Sequence, residues 1–291
     1  MSVKLVIEKR YIMDYQLPKK NILEGHTQGL ERKYYNLSKL VKDKEFNTNN
    51  TVIPLGIDNN KEKYYIDINN KSGILISGET GSGKSLYLNS IIISLLLKNK
   101  PEYLKFIMID YRNVELNIYN NLPSMYTNVI TNEYDTTKIL DELSNHLDKR
   151  IKLFETSKVK DIVEYNSIYS STLPRLVIII DEAFDILEKY NNKSMITTIL
   201  ENGSKYGLHI ILATSSYLKN DYDKSFITLF DYILSFDLAN KEQAKLINIK
   251  DADLLTVYGE ALIKTKNKLY NVQTPYVSED DIKNIINEIV N

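Results

Sequence analysis

Gly78, four residues, then Gly83, Lys84 and Ser85 stand inside "ILISGETGSGKSLYLNSIIISLLL", between one apolar run and another. That order and spacing is the phosphate-binding loop pattern, and it lies where the pattern belongs, after a strand-like segment and before a helix-like one. Gly78, Gly81 and Gly83 allow the backbone to turn its N–H groups inward at a helix N-terminus, where the dipole favours negative charge. The candidate cradle is the whole turn: Gly78, Glu79, Thr80, Gly81, Ser82, Gly83, Lys84, Ser85 and Leu86. Lys84 is placed to reach the β- and γ-phosphates of ATP, and the Ser85 hydroxyl to ligate Mg²⁺. A glycine-rich turn before a helix can be only a turn, but the preceding strand and the terminal Lys-Ser pair favour the phosphate site.

A second motif decides between kinds of phosphate chemistry. "LVIIIDEAFDIL" is an apolar strand ending in two consecutive carboxylates, Asp181 and Glu182. Ligands of open α/β sheets bind at such strand ends. Asp181 is expected to complete the Mg²⁺ shell with Ser85, and Glu182 to orient and polarise an attacking water. The same acids could merely open a helix, whose first turn favours negative charge. The phosphate loop upstream tips the balance toward a nucleotide hydrolase.

These residues need a rigid sheet to position them, and the chain has one to offer. Short apolar runs, "ILIS", "KFIMID", "LVIII", "LHIILAT" and "YILSF", alternate with helix-like stretches. This alternation predicts an α/β fold with a mainly parallel sheet covered on both faces. Upstream, "TVIPLGIDNNKEKYYIDI" reads as two strands about the turn at Asp58, Asn59 and Asn60, a hairpin leading into the sheet. Residues 1–50 are charged and weakly periodic and are expected to form a small N-terminal element, with one large domain over 51–291.

Composition limits the chemistry and says little about partners. Of the 291 residues, 37 are Lys or Arg and 38 are Asp or Glu, so no global field marks a polyanion partner and any DNA-facing surface must be local. Cysteine is absent, which excludes disulfides and thiolate metal sites, and the three scattered His argue against a His-based site. No apolar run approaches the roughly 18 to 20 residues of a spanning helix, and the N-terminus lacks the pattern of a signal peptide. A cytoplasmic location is therefore expected, with any membrane link supplied by a membrane-bound partner. The basic stretches "LDKRIK" and "ETSKVK" read as solvated helix faces before DNA contacts. His209 reads as a packed core residue, whereas Tyr87 and Asn89, just beyond the phosphate loop, could contact adenine or ribose.

Several segments outside nucleotide chemistry add a resemblance. "IPLGIDNNKEKYYIDI", "PEYLKFIMIDYRNVELNIYNNLP" with Asp110 and the Glu115-Leu116 pair, "VITNEYDTTKILDELSNHLDKRIKLF" with Arg150, "LPRLVIIIDEAFDIL" with Asp185, and "YGLHIILATSS" all resemble segments of the FtsK/SpoIIIE branch of the FtsK-HerA DNA-translocating ATPases. The likeness runs from about Thr51 to about Tyr276. It implies a RecA-like P-loop NTPase fold, ATP hydrolysis coupled to movement along double-stranded DNA, and a homo-oligomeric, hexameric ring with nucleotide at subunit boundaries. A plasmid, phage or conjugative element would be a fitting setting for such a short motor core.

The departures from that family are local. Where it usually has Gln after "AT", a polar sensor of the γ-phosphate, this chain has Ser215 and Ser216 after Thr214; a Ser hydroxyl can still hydrogen-bond phosphate or water, with shorter reach. Ser204 and Lys205 stand where the family has Arg, and Tyr232 and Ala244 stand where relatives carry Arg that can face a neighbour's phosphate. Because no cis cation beyond Lys84 is evident near the two motifs, a neighbouring subunit is expected to supply one, with Lys205 the candidate. Two other readings stay open: a type VII secretion-like ATPase that moves protein, and a nucleotide-binding adaptor ring with slow turnover.

Overall fold

A computed structural model describes residues 35–40, 46–48, 50–169, 172–182, 192–215 and 224–290. Nine strands form one mixed sheet in the order β3-β2-β10-β9-β8-β4-β7-β6-β5. Its parallel half is β8 (Tyr232–Ser235), β4 (Gly73–Ser77), β7 (Leu208–Thr214), β6 (Arg175–Asp181) and β5 (Leu104–Asp110). The antiparallel half is β9 (Glu260–Lys264), β10 (Leu269–Gln273), β2 (Val52–Ile57) and β3 (Lys63–Asp67). The strand that feeds the phosphate loop, β4, thus sits between β8 and β7, and β7 separates it from the acid-bearing β6.

The parallel strands are apolar throughout because both faces are covered, and successive side chains divide between two cores. Ile74, Ile76, Phe106, Met108, Val177 and Ile179 face one core, which helix α1 (Lys84–Leu96) fills with Leu88, Ile91, Ile92 and Leu95. Leu75, Ile107, Ile109, Ile178 and Ile180 face the other, under helices α2 (Glu133–Ser157) and α4 (Asn192–Asn202), with the short α3 (Ile162–Ile168) beside them. Each such buried aliphatic side chain contributes roughly 1.5–3 kcal/mol. Helix α2 buries Thr136, Ile139, Leu140, Leu143, Leu147, Arg150 and Phe154, a stripe at helical spacing. It opens on Asn132, whose side chain accepts from the Asp135 N–H, and ends on Lys158 in the left-handed region.

The hairpin of β2 and β3 forms as the turn residues predict, with the Asp58 carboxylate accepting from the N–H groups of Asn60 and Glu62. It docks at the far edge, on β10, and not beside β4. The hairpin of β9 and β10 and the C-terminal helix α7 (Glu279–Val290) have no counterpart in the sequence reading. Two short helices, α5 (Lys224–Ile227) and α6 (Lys241–Leu246), connect the second half.

Most of the expected N-terminal element lies outside the described residues. The parts that are described pack onto the main body: β1 (Tyr35–Asn36) pairs with β11 (Pro275–Tyr276), and Leu37 and Phe46 are buried. Lys98, just past α1, holds Phe46 in place, donating to the Phe46 carbonyl at 3.1 Å and lying 3.8 Å from its ring centroid. Among the described residues no helix is long and apolar enough to cross a membrane.

His209 is a core residue of β7, as expected, and this has a consequence for stability. Its Nδ1 lies 2.7 Å from the Lys71 carbonyl oxygen, so the neutral ring donates there. Burial, with Arg175 and Arg150 nearby, holds its pKa down to about 3 against the pull of the Lys71 carbonyl and Asp67. The unfolded chain takes up this proton near pH 6.5 and the folded chain only near 3. Stability attributable to His209 is therefore intact above 6.5 and falls by about 1.4 kcal/mol per pH unit below it. Urea unfolding at pH 7.5 and 5.5 should show this loss, and His209→Gln should flatten it. An equal pH dependence in the variant would remove His209 from the account.

Candidate functional site

The phosphate loop leaves β4 at Ser77 and enters α1 at Lys84, and its glycines are required by its geometry. Gly83 caps the helix with φ 115°, and a Cβ there would lie 3.0 Å from the Gly259 Cα. At Gly78 a Cβ would lie 2.6 Å from that of Phe236. The loop is held from outside: Gly78 N–H donates to the Thr214 carbonyl, Glu79 N–H to that of Asp237, and Gly259 N–H to that of Ser82. Among the described residues no carbonyl takes the N–H groups of Gly81, Gly83, Lys84 or Ser85, and the buried Ser82 hydroxyl is without a partner. Converging unpaired donors at a helix N-terminus fit a phosphate chain.

Lys84 is buried, its ammonium folded toward the Glu79 carbonyl at 3.4 Å. Burial lowers its pKa, while Glu182, Asp181 and Glu79 pull it back up. Asp181, at the C-terminal end of β6, is raised to about 6 by burial and then by the charges of Glu182, Asp110 and Glu115. A carboxylate held up by its own neighbours lies in a field that favours a cation. By charge Asp181 fits Mg²⁺, and Ser85, at the start of α1, carries the hydroxyl that would join it; the ion when bound would neutralise charge on the phosphates. Among the described residues no three His, Cys, Asp or Glu side chains converge as a metal cage, so phosphate and water oxygens would complete such a shell.

Glu182 takes φ 50°, an unusual conformation for a residue with a side chain. The tertiary structure holds it there. Its Oε1 accepts from the Ser215 hydroxyl at 2.5 Å and its Oε2 from the Ser215 N–H at 3.1 Å. Its Oε1 also lies 3.3 Å from the Arg112 guanidinium. Ser215 therefore does join the acid pair, through Glu182. The strain is local to the expected water-orienting group, where such outliers concentrate.

Arg112 was not singled out in the sequence, and it changes the charge account, because a second cation besides Lys84 stands at this site in cis. Register brings it there: β5 and β6 pair in parallel with Asp110 opposite Asp181, so the loop after one strand meets the acid after the other. Asp110 itself is a structural acid. Its buried carboxylate accepts from the backbone N–H groups of Arg112, Asn113, Val114, Glu115 and Leu116, all at 3.0–3.2 Å. Gly259 was also missed, since nothing local in "VYGEAL" says that it will back onto the phosphate loop.

Other candidates lie elsewhere. Tyr87 is fully buried with its hydroxyl on the Pro54 carbonyl, and Asn89 accepts from the Tyr119 hydroxyl, so both belong to the core under α1 and face no base or ribose. Arg150 is a clamp: its guanidinium donates to the carbonyls of Tyr206 and Pro174, while Lys149 and Lys152 are exposed. Ala244 is the buried residue of α6, turned into the core. Lys205 stands in the turn before β7, 5.4 Å from the Tyr206 ring, and Tyr232 starts β8; both lie at the opposite strand ends from Thr214 and the phosphate loop. Asp185 and Ser216 lie outside the described residues.

Comparison with known proteins gives consistent results. Among solved structures, the pCW3 conjugation coupling protein TcpA, in its monomer form with ATPgS, superposes with a TM-score of 0.72 at 22% identity, covering 88% of this chain and 73% of that one. The cytoplasmic domain of the Thermomonospora curvata type VII secretion ATPase EccC gives 0.72 at 19%, covering 89% and 34%. These likenesses concern the fold, that of P-loop ATPase domains. The DNA translocase FtsK of Helicobacter pylori (strain J99) is 32% identical over 246 residues, which are 81% of this chain and 29% of that protein. That of Clostridium acetobutylicum is 29% identical over 267 residues, 88% and 35%. The chain thus spans about a third of the length of these curated relatives. The FtsK/SpoIIIE family profile matches residues 36–221, a stretch that contains the phosphate loop, the Asp110 cage and the acid pair, and to that family this chain belongs.

Proposed function

We propose that this chain is the motor core of an FtsK/SpoIIIE-type translocase, hydrolysing ATP to move double-stranded DNA. The observation that carries the reading is the placement of Glu182, an oriented carboxylate next to the Mg²⁺-fitting Asp181 and across β7 from the phosphate loop. A kinase must exclude water from this position, whereas a hydrolase needs a group that orients it. The unpaired N–H groups of the loop and Lys84 would bind the phosphates, Ser85 and Asp181 would hold Mg²⁺, and Glu182 would position and polarise the water. Double-stranded DNA as the moved polymer rests on the family, whose curated relatives carry the name DNA translocase.

A closed ring of identical subunits is part of the same proposal. Head-to-tail contacts that close by rotation place each site beside a neighbour. With Arg112 in cis the ring no longer rests on a missing cation, and Lys205 is the cation it would offer across a boundary. ATP turnover measured with and without linear double-stranded DNA tests the proposal. Stimulation by DNA, with specific activity rising with protein concentration, is the expected result. Turnover stimulated by peptide and not by DNA would transfer the chain to protein secretion, and no turnover under any condition would leave an adaptor.

A further inference from the structure

Arg112 stands at the site as a cis cation with no ligand contact assigned to it above, and both ends of its contact with Glu182 are built. At its own end, Asp110, itself 1% exposed, fixes the backbone from Arg112 to Leu116 through five N–H groups. At the other end, two hydrogen bonds from Ser215 hold Glu182 in a strained backbone conformation. The side chains differ in one respect: Glu182 is 11% exposed and Arg112 56%. A planar guanidinium with five donors, half of it open, can take a second acceptor without surrendering its position. The β5–β6 register sets Arg112 at the acid-bearing strand end, 3.3 Å from Glu182, and near enough to Lys84 of the phosphate loop to act on it as a like charge.

We propose that Arg112 is the residue by which this chain tells a nucleoside triphosphate from a diphosphate, its guanidinium being shared between the Glu182 carboxylate and the terminal phosphate. This rests on the reading of the site as an ATP site. A terminal phosphate offers three strong acceptor oxygens and more charge than a carboxylate, so it competes well for a fork of N–H donors. As the guanidinium turns toward it, Glu182 keeps the Ser215 contacts that orient it and loses the ion pair that occupies its Oε1. The carboxylate is then free to accept from water. A diphosphate presents no acceptor at that place, and Glu182 remains tied to Arg112. Sensing the γ-phosphate and releasing the water-orienting group become one event.

The test is calorimetric titration of the whole chain with Mg²⁺-AMPPNP and, separately, Mg²⁺-ADP. Arg112→Ala should weaken AMPPNP binding roughly tenfold to hundredfold, the worth of a charge-assisted hydrogen bond, and leave ADP within about twofold of wild type. Arg112→Lys should fall between, because it keeps charge and loses the fork. Glu182→Gln, which removes the competing carboxylate, should tighten AMPPNP binding in the presence of Arg112 and lose most of that gain in the Arg112→Ala background. Equal affinities of wild type and Arg112→Ala for AMPPNP, or equal losses for both nucleotides, would overturn the assignment. Wild-type protein that binds neither nucleotide would instead overturn the ATP-site reading beneath it. Because ADP serves as the internal reference, the two failures are distinct.

Discussion

Lys84→Ala is expected to weaken ATP binding by roughly hundredfold or more, the combined effect of losing charge-assisted contacts to two phosphates. The fold should survive the change. Lys84 is 7% exposed, and burial already depresses the pKa of its ammonium, so its charged form is held at some cost in the folded protein. Removing it takes away that cost together with the phosphate contact, and the melting temperature should hold or rise. The two effects are read separately, nucleotide affinity by titration and stability by thermal unfolding. A folded variant with wild-type affinity for ATP would remove the phosphate loop from the site.

Glu182→Gln separates chemistry from binding. The amide preserves shape and its oxygen can still accept one of the two Ser215 contacts, but it cannot polarise a water as a carboxylate does. Turnover should therefore fall by roughly 10²–10⁴-fold, the usual worth of a general base, while ATP still binds. Single-turnover hydrolysis beside equilibrium binding makes the distinction, because a purely structural defect would lower both. Undiminished hydrolysis would move the base to another residue. The contrast with Lys84→Ala is the point: one variant should not bind, and the other should bind and stall.

How far the site could be read in the sequence depended on how local its chemistry is. A phosphate cradle is made of consecutive backbone N–H groups, so its glycines, lysine and serine must be neighbours in the chain. Gly78, Gly83, Lys84 and Ser85 were therefore legible at once. Asp181 and Glu182 were legible because the apolar run Leu176–Ile180 must end somewhere, and acids at that end face the ligand side of a parallel sheet. Ser215 was flagged as a departure from a familiar pattern, but its contact with Glu182 needed the pairing of β6 with β7.

Arg112, Gly259 and the place of the first hairpin belong to the second kind of information. Arg112 meets Glu182 only because β5 and β6 run in register with Asp110 opposite Asp181. Gly259 backs onto Gly83 only because β9 lies beside β8, and the β2–β3 hairpin reaches the far edge only because β10 intervenes. Tyr87 and Asn89 show the same limit from the other side: their spacing after the phosphate loop suggested a ligand, yet α1 is buried on every side from Tyr87 onward and both lie in the core. Periodicity, turn residues and contiguous motifs by themselves determined the first hairpin, the alternating strands and helices of the parallel half, the α/β class and the phosphate and acid motifs, since each is a property of neighbouring residues. Strand order and register were decided by tertiary structure alone, because they arise from packing between segments far apart in the chain, and with them came the cation that faces Glu182.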